Sequence, residues 1–451
     1  MMKYYSFSVF KRTLLVGMSL CLFMTSSSFS IQKATLNTFA EKEILDNGLT
    51  LIYQIDQSSS LTVLQILIKG GKKVEPSDKK GLAFLTTRLA VEIPSRSEIQ
   101  KLMTQATRLS VSCERDYSLI HISCLSENLE STLELITPII TDPLFSGLRI
   151  NKVEKLMNHY RKREEDDAIN LAHNALIDFF FDKTSYAGSI YGSEESLKAI
   201  KKRDIKRFYH HYFRAGNMIV SVSTDLNKDK ILELCKKQLG QIPAGECPGS
   251  EFPSLRPPEE NIHYIKKDTQ QSLVSMAFAL PPLNQKNYVL GLLLRNLLGK
   301  GFNSRLWPLR IKERLAYNVN SRITFLKEGG ILEAFLETNH QKKDKAREKL
   351  KKVLQNLHQN GITEKELKTN QIYSKTFFLR KNESKNSRTQ LLARLECLGL
   401  GYDFLSRLSQ EIDNVTLQQI NAYIKKVLNP DISLEMIVGP DKTQNSKHPH
   451  P

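Results

Sequence analysis

Apolar and polar positions along this chain follow two patterns that predict different elements. Leu61–Lys69 is a run of apolar and β-branched residues ending at two glycines, which predicts a buried strand. Ile44–Tyr53 predicts two short strands around an Asn47-Gly48 turn, and Leu109–Cys124 predicts a hairpin. A period of three to four residues predicts helices at Glu127–Ile140, Leu148–Phe181, Glu194–Phe213 and Lys228–Leu239, with a strand at Ile219–Ser223 before the last one.

The same order of elements returns after a segment that has no apolar period. Gly240–Asn261 is rich in Pro, Gly and Ser, which predicts a linker. The repeated order predicts an α+β fold of two similar halves, each a mostly antiparallel sheet packed with helices. The elements predicted for the second half are strands at Ile262–Lys267, Ser272–Ala279 and Ile432–Val438, a hairpin at Tyr317–Thr338, and helices at Lys286–Leu298, Ser304–Glu313, Lys342–Gln359, Thr363–Arg380, Tyr402–Ile412 and Leu417–Leu428.

The N-terminus has the composition of a secretory signal. Three basic residues precede the apolar run Leu14–Met24, and Ser28-Phe29-Ser30 has small residues at the spacing of a cleavage site before Ile31. The apolar run is shorter than the roughly 20 residues needed to span a bilayer. We therefore expect residues 1–30 to be a cleavable signal peptide, and a periplasmic or secreted protein with no stable membrane span after cleavage.

Composition and charge narrow the remaining choices. The 451 residues are 40% hydrophobic and 25% charged, which is typical of globular domains, and the length suggests two domains. The net charge of +17 favours acidic neighbours, but no nucleic-acid-binding motif accompanies it, so no nucleic-acid partner is expected. Five cysteines remain after the signal at wide spacing, and they predict neither a disulfide framework nor a cysteine zinc site.

Candidate chemistry lies in Leu297–Val319, where Arg310 and Tyr317 stand apart from the apolar pattern. An Arg fork and a phenol are suited to bind the carbonyl or carboxylate groups of an extended peptide. The spacing alone favours a simpler interpretation, a surface Arg on a helix and a half-buried strand Tyr. Ser304 is expected to cap the helix that carries Arg310.

Two segments resemble the insulinase-like zinc peptidases, the family of pitrilysin and the mitochondrial processing peptidases. LGKGFNSRLWPLRIKERLAY is similar to the family pattern LGGGxxSRLxxxLREKxGLAY, except that Ile311 replaces an acid and Arg314 replaces a glycine. LDNGLTL followed by GKKVEPSDKKGLA is similar to the opening of the family's N-terminal half. The resemblance covers roughly residues 40–440 and implies that Arg310 and Tyr317 hold substrate beside a zinc ion.

The resemblance also implies that this chain has lost the zinc site. Active members continue from Gly-Leu-Ala into His-x-x-Glu-His, whose histidines bind zinc while the Glu activates water. Phe84 and Arg88 stand at the histidine positions and Thr87 at the Glu position. Laying Glu165-Asp166-Asp167 on the family's EDD puts Tyr160 at the third ligand, with Glu154 and Glu164 as nearby alternatives. His159 and His173 are too far apart for one ion and are interpreted as surface or packing residues.

The resemblance implies domains at 31–240 and 262–440 that face each other as a clamshell. Composition predicts the linker 241–261 between them and a disordered tail at 441–451. It implies a non-catalytic, substrate-binding subunit with no cofactor of its own, paired as a heterodimer with a zinc-bearing catalytic subunit that cleaves peptides. An exported peptide-binding or scaffold protein without a peptidase partner is the alternative. A zinc peptidase with other ligands is disfavoured, because no His pair with a nearby Glu stands at metal spacing.

Overall fold

The computed structural model describes residues 39–182, 184–246, 262–429 and 432–440. The predicted signal peptide, the tail 441–451 and most of the predicted linker, residues 247–261, lie outside the described residues. The first half contains a six-stranded sheet in the order β1-β2-β6-β3-β5-β4. Its strands are β1 Glu41–Ile44, β2 Thr50–Ile55, β3 Leu61–Ile68, β4 Arg108–Cys113, β5 Ser118–Leu125 and β6 Met218–Thr224.

The first sheet is antiparallel except where β2 pairs with β6. Seven of the eight residues of β3 are buried, which explains why this strand is apolar throughout rather than alternating. The helices of this half are α1 Leu82–Leu89, α2 Arg96–Thr104, α3 Leu129–Thr141, α4 Gly147–Asp166, α5 Ala168–Phe180, α6 Glu194–Ala199, α7 Lys202–Tyr212 and α8 Lys228–Leu239.

The second half is built around a five-stranded sheet in the order β7-β11-β8-β10-β9, in which β7 and β11 are parallel. Its strands are β7 Ile262–Lys266, β8 Ser272–Leu280, β9 Asn318–Leu326, β10 Gly329–Thr338 and β11 Leu434–Gly439. Its helices are α9 Gln285–Gly299, α10 Trp307–Ile311, α11 Lys343–Asn360, α12 Glu364–Lys381, α13 Lys385–Cys397, α14 Phe404–Asp413 and α15 Leu417–Val427. The predicted α+β fold of two sheets packed with helices is confirmed.

Each half sends one helix to the sheet of the other half. From the first half, α5 packs on the second sheet, with Leu176 and Phe180 in one apolar cluster with Leu273 and Met436. From the second half, α13 lies against β3 and β6 of the first sheet. Two helices therefore hold the halves together by burying their surfaces on the opposite sheet.

Hydrogen bonds and ion pairs fix the position of α13 on the first sheet. The Ser221 hydroxyl donates to the backbone oxygen of Thr389 at 2.6 Å. Arg388 donates from Nε to Gln54 Oε1 at 3.1 Å and forms an ion pair with Asp56. Because Arg388 is buried, removing it would leave Asp56 without its partner.

Two of the predicted helices are each divided into two shorter helices. The predicted helix Leu148–Phe181 is wrong as one element, because Asp167 leaves the helical conformation and its carboxylate accepts from the Asn170 N–H, which starts α5. The predicted Glu194–Phe213 is also two helices, separated at Ile200 and Lys201. Capping by Ser193 and the capping box of Thr363 with Glu366 are present.

Two further differences concern the second half. Ser304 does not cap a helix: α10 starts at Trp307, and the buried Ser304 hydroxyl has no hydrogen-bond partner among the described residues. Helix α13 was not predicted at all. Within the parts of the chain that the structure describes, no helix is long and apolar enough to cross a membrane.

Candidate functional site

The segment before α1 holds that helix against the first sheet. The Glu75 carboxylate accepts hydrogen bonds from the N–H groups of Gly81 and Ala83, at 2.9 and 2.8 Å, so it satisfies two free donors at the start of α1. Gly81 has a φ of +96°, a conformation that favours glycine. A Cβ at Gly71 would lie 2.4 Å from the backbone of the β4–β5 turn, so glycine is also required there.

Three aromatic rings fill the place where the resemblance puts two zinc ligands. Phe84 is 2% exposed on α1, and its ring packs edge-on against Tyr160 of α4 and Tyr191, with centroids 6.2 and 5.0 Å apart. The rings of Tyr160 and Tyr191 are 5.3 Å apart. Burial raises the pKa of Tyr191 to about 12. We call Phe84, Tyr160 and Tyr191 the aromatic cluster.

The structure therefore brings Phe84 and Tyr160 together, as the alignment with the family predicts. Tyr191 was not singled out from the sequence, and it lies outside the helices, shortly before α6. An aromatic cluster of this kind stabilises the fold through packing, and its phenylalanine ring has no lone pair for a metal ion.

Thr87 and Arg88 are engaged in local contacts. The Thr87 hydroxyl is buried and donates to the backbone oxygen of Ala83 at 2.8 Å. Arg88 Nη2 lies 2.6 Å from Glu92 Oε1, and Lys152 approaches the other oxygen of Glu92 at 3.2 Å. Neither side chain offers a carboxylate or imidazole for water activation.

The alternative ligands lie in other surroundings. Burial raises the carboxyl pKa of both Glu154 and Glu164, and Glu164 accepts from Asn174 at 3.3 Å. His159 is exposed, whereas His173 is a contact between the halves, 3.0 Å from Glu333. Among the described residues, no group of three or more His, Cys, Asp or Glu side chains is placed to hold a metal ion.

Arg310 and Tyr317 line one cavity of about 270 Å³ in the second half. Arg310 is exposed on α10, and its guanidinium carbon lies 5.1 Å from the centre of the Trp307 ring. Tyr317 is 59% exposed, so it is more accessible than the half-buried strand tyrosine of the simpler interpretation. Its backbone N–H donates to the backbone oxygen of Glu337 at 2.9 Å. Both polar groups are thus accessible from the same space. We call this space the Arg310/Tyr317 cavity.

Buried side chains and a hydrogen bond hold the loop between Arg310 and Tyr317 against the second half. Leu315 and Ala316 are buried, and the Thr338 hydroxyl donates to the Leu315 oxygen at 2.5 Å. Arg314, where the family pattern has glycine, adopts a φ of +50°. The backbone keeps a left-handed conformation here although the residue carries a Cβ.

Beside this cavity lies a second, larger one of about 590 Å³, whose lining combines apolar with polar and charged side chains. Phe302 is 79% exposed and packs edge-on against Trp307, and Ile311 is 54% exposed. The ring of Trp307 thus contacts Phe302 on one side and Arg310 on the other. The surface around α10 presents both apolar and cationic groups.

Two models of one protein family match this chain. The family model "Insulinase (Peptidase family M16)" matches residues 51–194, and the model "Peptidase M16 inactive domain" matches residues 199–372. Together they cover most of the chain. The chain belongs to the insulinase family, M16.

Individual members of the insulinase family align along nearly the whole chain. A "Non-peptidase homolog YmxG" of Helicobacter pylori is 25% identical over 86% of this chain and 91% of its own length. "Zinc protease PqqE" of the same organism is 24% identical over 84% of this chain and 88% of its own length. The crystal structure of a peptidase M16 inactive domain from Pseudomonas fluorescens has a TM-score of 0.82 at 19% identity, covering 90% of this chain and 99% of that one.

Within the insulinase family, this chain is a non-peptidase homologue. The positions that carry zinc ligands and the general base in active members hold Phe84, Arg88 and Thr87, and the structure packs or pairs all three.

Proposed function

We propose that this chain is the non-catalytic, substrate-binding subunit of a heterodimeric insulinase-family zinc peptidase. It supplies Arg310 and Tyr317 to a partner subunit that binds the zinc ion and cleaves the peptide. The observation that carries the proposal is a contrast within the chain: the zinc positions are filled by the aromatic cluster, while Arg310 and Tyr317 line an open cavity.

The chemistry of the pair suits a peptide backbone. Arg310 provides fixed donors for a carbonyl oxygen, and the Tyr317 phenol provides one more. Donors directed at an oxygen that gains negative charge during hydrolysis stabilise the transition state. Those donors assist catalysis only if the partner places its zinc ion and water beside the same carbonyl group.

The position of Tyr317 supports binding of an extended peptide. Tyr317 immediately precedes β9, which is an edge strand of the second sheet and pairs with β10 on its inner side. An edge strand can accept a peptide as an additional strand through main-chain hydrogen bonds. A peptide bound along β9 would pass directly in front of the Arg310/Tyr317 cavity.

The partner is a family member that retains His-x-x-Glu-His. Relatives of this chain include both a protein described as a non-peptidase homologue and one described as a zinc protease, and both come from Helicobacter pylori. A genome that encodes both kinds provides the two subunits that the proposal requires.

Reconstitution with a zinc-bearing homologue from the organism that encodes this chain tests the proposal. This chain, without residues 1–30, is co-expressed with the homologue and purified through a tag on this chain. The zinc content and the peptide cleavage of the purified material are then measured. We expect a zinc-containing complex whose activity falls about 100-fold when Arg310→Ala is combined with Tyr317→Phe. Arg407→Ala combined with Tyr264→Phe, a half-exposed and an exposed residue elsewhere in the second half, is the matched control and should retain activity.

Recovery of this chain alone, with no zinc and no cleavage in the purified material, would overturn the heterodimer and leave a peptide-binding scaffold. Stoichiometric zinc in the isolated chain would contradict the assignment of the aromatic cluster.

Export is a separate part of the proposal. If residues 1–30 are removed as a signal peptide, the mature protein begins at Ile31 and is found in the periplasm or the medium. Mass spectrometry of the N-terminal peptide from fractionated native cells checks this. A full-length N-terminus in the cytoplasmic fraction would refute it.

A further inference from the structure

A cavity of about 510 Å³ lies between the two halves and has no role in the site described so far. The β4–β5 turn of the first half forms one wall, and α9, α12, α13 and the end of β9 form the others. Lys381 and Gln390 on its rim are exposed, so the cavity is accessible from outside. Its volume is within the range of sites that bind small ligands or peptide side chains.

The lining of this interhalf cavity combines apolar and aromatic side chains with six charged ones. Four are cations, and two are carboxylates, Glu114 and Asp116. Asp116 is already engaged, because it accepts from the Tyr186 hydroxyl at 2.6 Å and from the Lys327 N–H at 3.2 Å. The four cations are Arg115, Arg295, Lys381 and Arg394.

These four cations form no ion pair with a carboxylate within the described residues, although the charge of Glu114 acts on Arg115 and Arg394 from a longer distance. None of the four has a carboxylate oxygen within 4.0 Å, although acidic side chains pair with many lysines and arginines elsewhere in the described chain. Arg295 directs Nε and Nη2 to Asn296 Oδ1 at 3.0 and 2.8 Å and stacks on Phe377. A neutral amide therefore holds Arg295 in place without neutralising its charge.

Arg115 supplies a second, independent observation. It is 6% exposed, and its Nε donates to the backbone oxygen of Tyr186 at 3.3 Å. Its Nη2 is buried and has no hydrogen-bond partner among the described residues. A buried guanidinium donor without an acceptor is destabilising, and an acceptor on a ligand would satisfy it.

From these observations we propose that the interhalf cavity binds a carboxylate of the peptide substrate. The cavity would accept an acidic side chain or a peptide C-terminus, held by the Arg forks of Arg115, Arg295 and Arg394. This inference rests on the peptide-binding part of the proposed function and adds a preference for acidic peptides. Arg forks are well suited to this ligand, because two parallel N–H groups match the two carboxylate oxygens.

The cavity and the Arg310/Tyr317 cavity lie at opposite ends of one strand. Tyr317 precedes β9, and Thr324, Phe325 and Leu326 at the end of β9 line the interhalf cavity. At about 3.3 Å per residue, the seven residues from Tyr317 to Thr324 span about 23 Å. A peptide that adds to β9 would therefore place its acidic residue about seven positions from the residue beside Tyr317.

Binding of two matched peptides to the full mature chain tests this inference without any catalytic partner. The probes are fluorescein-labelled 14-residue peptides of Thr, Val and Ala with an amidated C-terminus, one with a single central Glu and one with Gln at that position. We expect the Glu peptide to bind at least about 10-fold more tightly in fluorescence anisotropy. Arg394→Gln should remove this preference, and the control Arg407→Gln, a half-exposed arginine outside the cavity lining, should retain it.

A second variant and a cross-link keep the test decisive. Lys381→Gln replaces an exposed cation on the rim, so it reports on the cavity even if Arg394→Gln fails to fold. A benzoylphenylalanine placed seven residues from the Glu should cross-link to the segment around Arg310–Tyr317. Equal affinity for the Glu and Gln peptides, or a preference that persists in both variants, would overturn the inference.

Inorganic phosphate distinguishes a peptide carboxylate from a free anion. If calorimetry shows Arg394-dependent phosphate binding while the peptides show no preference, the cavity is a small-anion site and the peptide assignment is wrong. An active reconstituted complex that shows no preference for the Glu peptide would refute this inference and leave the proposed function intact.

Discussion

The aromatic cluster of the first half and the Arg310/Tyr317 cavity of the second differ in what occupies them. In the first, Phe84 is 2% exposed and contacts two tyrosine rings. In the second, Tyr317 is 59% exposed and shares a cavity of about 270 Å³ with Arg310. The region that lost its metal chemistry has become core, and the region that retains polar groups has stayed open. Stability and ligand binding are therefore expected to depend on different residues.

The largest expected effect separates two phenylalanines. Phe84→Ala removes a buried ring from the aromatic cluster and should lower the free energy of unfolding by about 3–5 kcal/mol, from lost burial and the cavity left behind. Phe302→Ala removes a ring that is 79% exposed and should cost less than about 1 kcal/mol. Urea unfolding of both variants, followed by circular dichroism, measures the difference. Equal losses would contradict the assignment of the cluster as core.

The sequence placed Phe84 and Tyr160 together only through its resemblance to the family, because both residues stand where active members have zinc ligands. It did not predict Tyr191, because a loop residue has no periodic pattern to mark it. Both residues approach Phe84 from different parts of the chain. Ring contacts between distant segments depend on tertiary packing, which periodicity does not encode.

Helix α13 was missed for a related reason. Its buried residues include Lys385, Arg388 and Thr389 as well as Leu392 and Leu395, so its sequence has no single apolar face. The polar residues are buried because the other half covers them: Lys385 donates to the backbone oxygens of Ser59 and Leu61 at 2.7 and 2.9 Å. Because α13 packs on the sheet of the other half, its buried positions do not form the single apolar face by which a helix is recognised in a sequence.

A smaller effect of opposite sign is expected in the open region. Arg314 holds a φ of +50°, which costs a residue with a Cβ roughly 1–2 kcal/mol. Arg314→Gly removes that strain but increases the entropy of the unfolded chain, so a net stabilisation of about 0.5–1 kcal/mol is expected. Arg314→Ala is the matched control and should bring no gain, because it removes the charge and keeps the Cβ. Thermal unfolding measures all three proteins, and equal gains for Gly and Ala would show that the guanidinium rather than the backbone is responsible.

The smallest expected effect links the interhalf cavity to pH. Burial, together with the charges of Arg295, Lys381 and Arg322, lowers the pKa of Lys300 to about 8. Lys300 does not line the cavity, but Arg295 and Lys381, whose charges act on it, do. Below pH 8 the charge of Lys300 therefore adds to the attraction for a bound carboxylate, and above pH 8 that contribution is lost. Affinity for the Glu peptide should therefore fall roughly 3-fold between pH 7 and pH 9. The Gln peptide should change less, and Lys300→Met should abolish the dependence. Fluorescence anisotropy across this pH range is the measurement. An affinity for the Glu peptide that rises with pH would show that the cations around Arg295 do not act on the ligand.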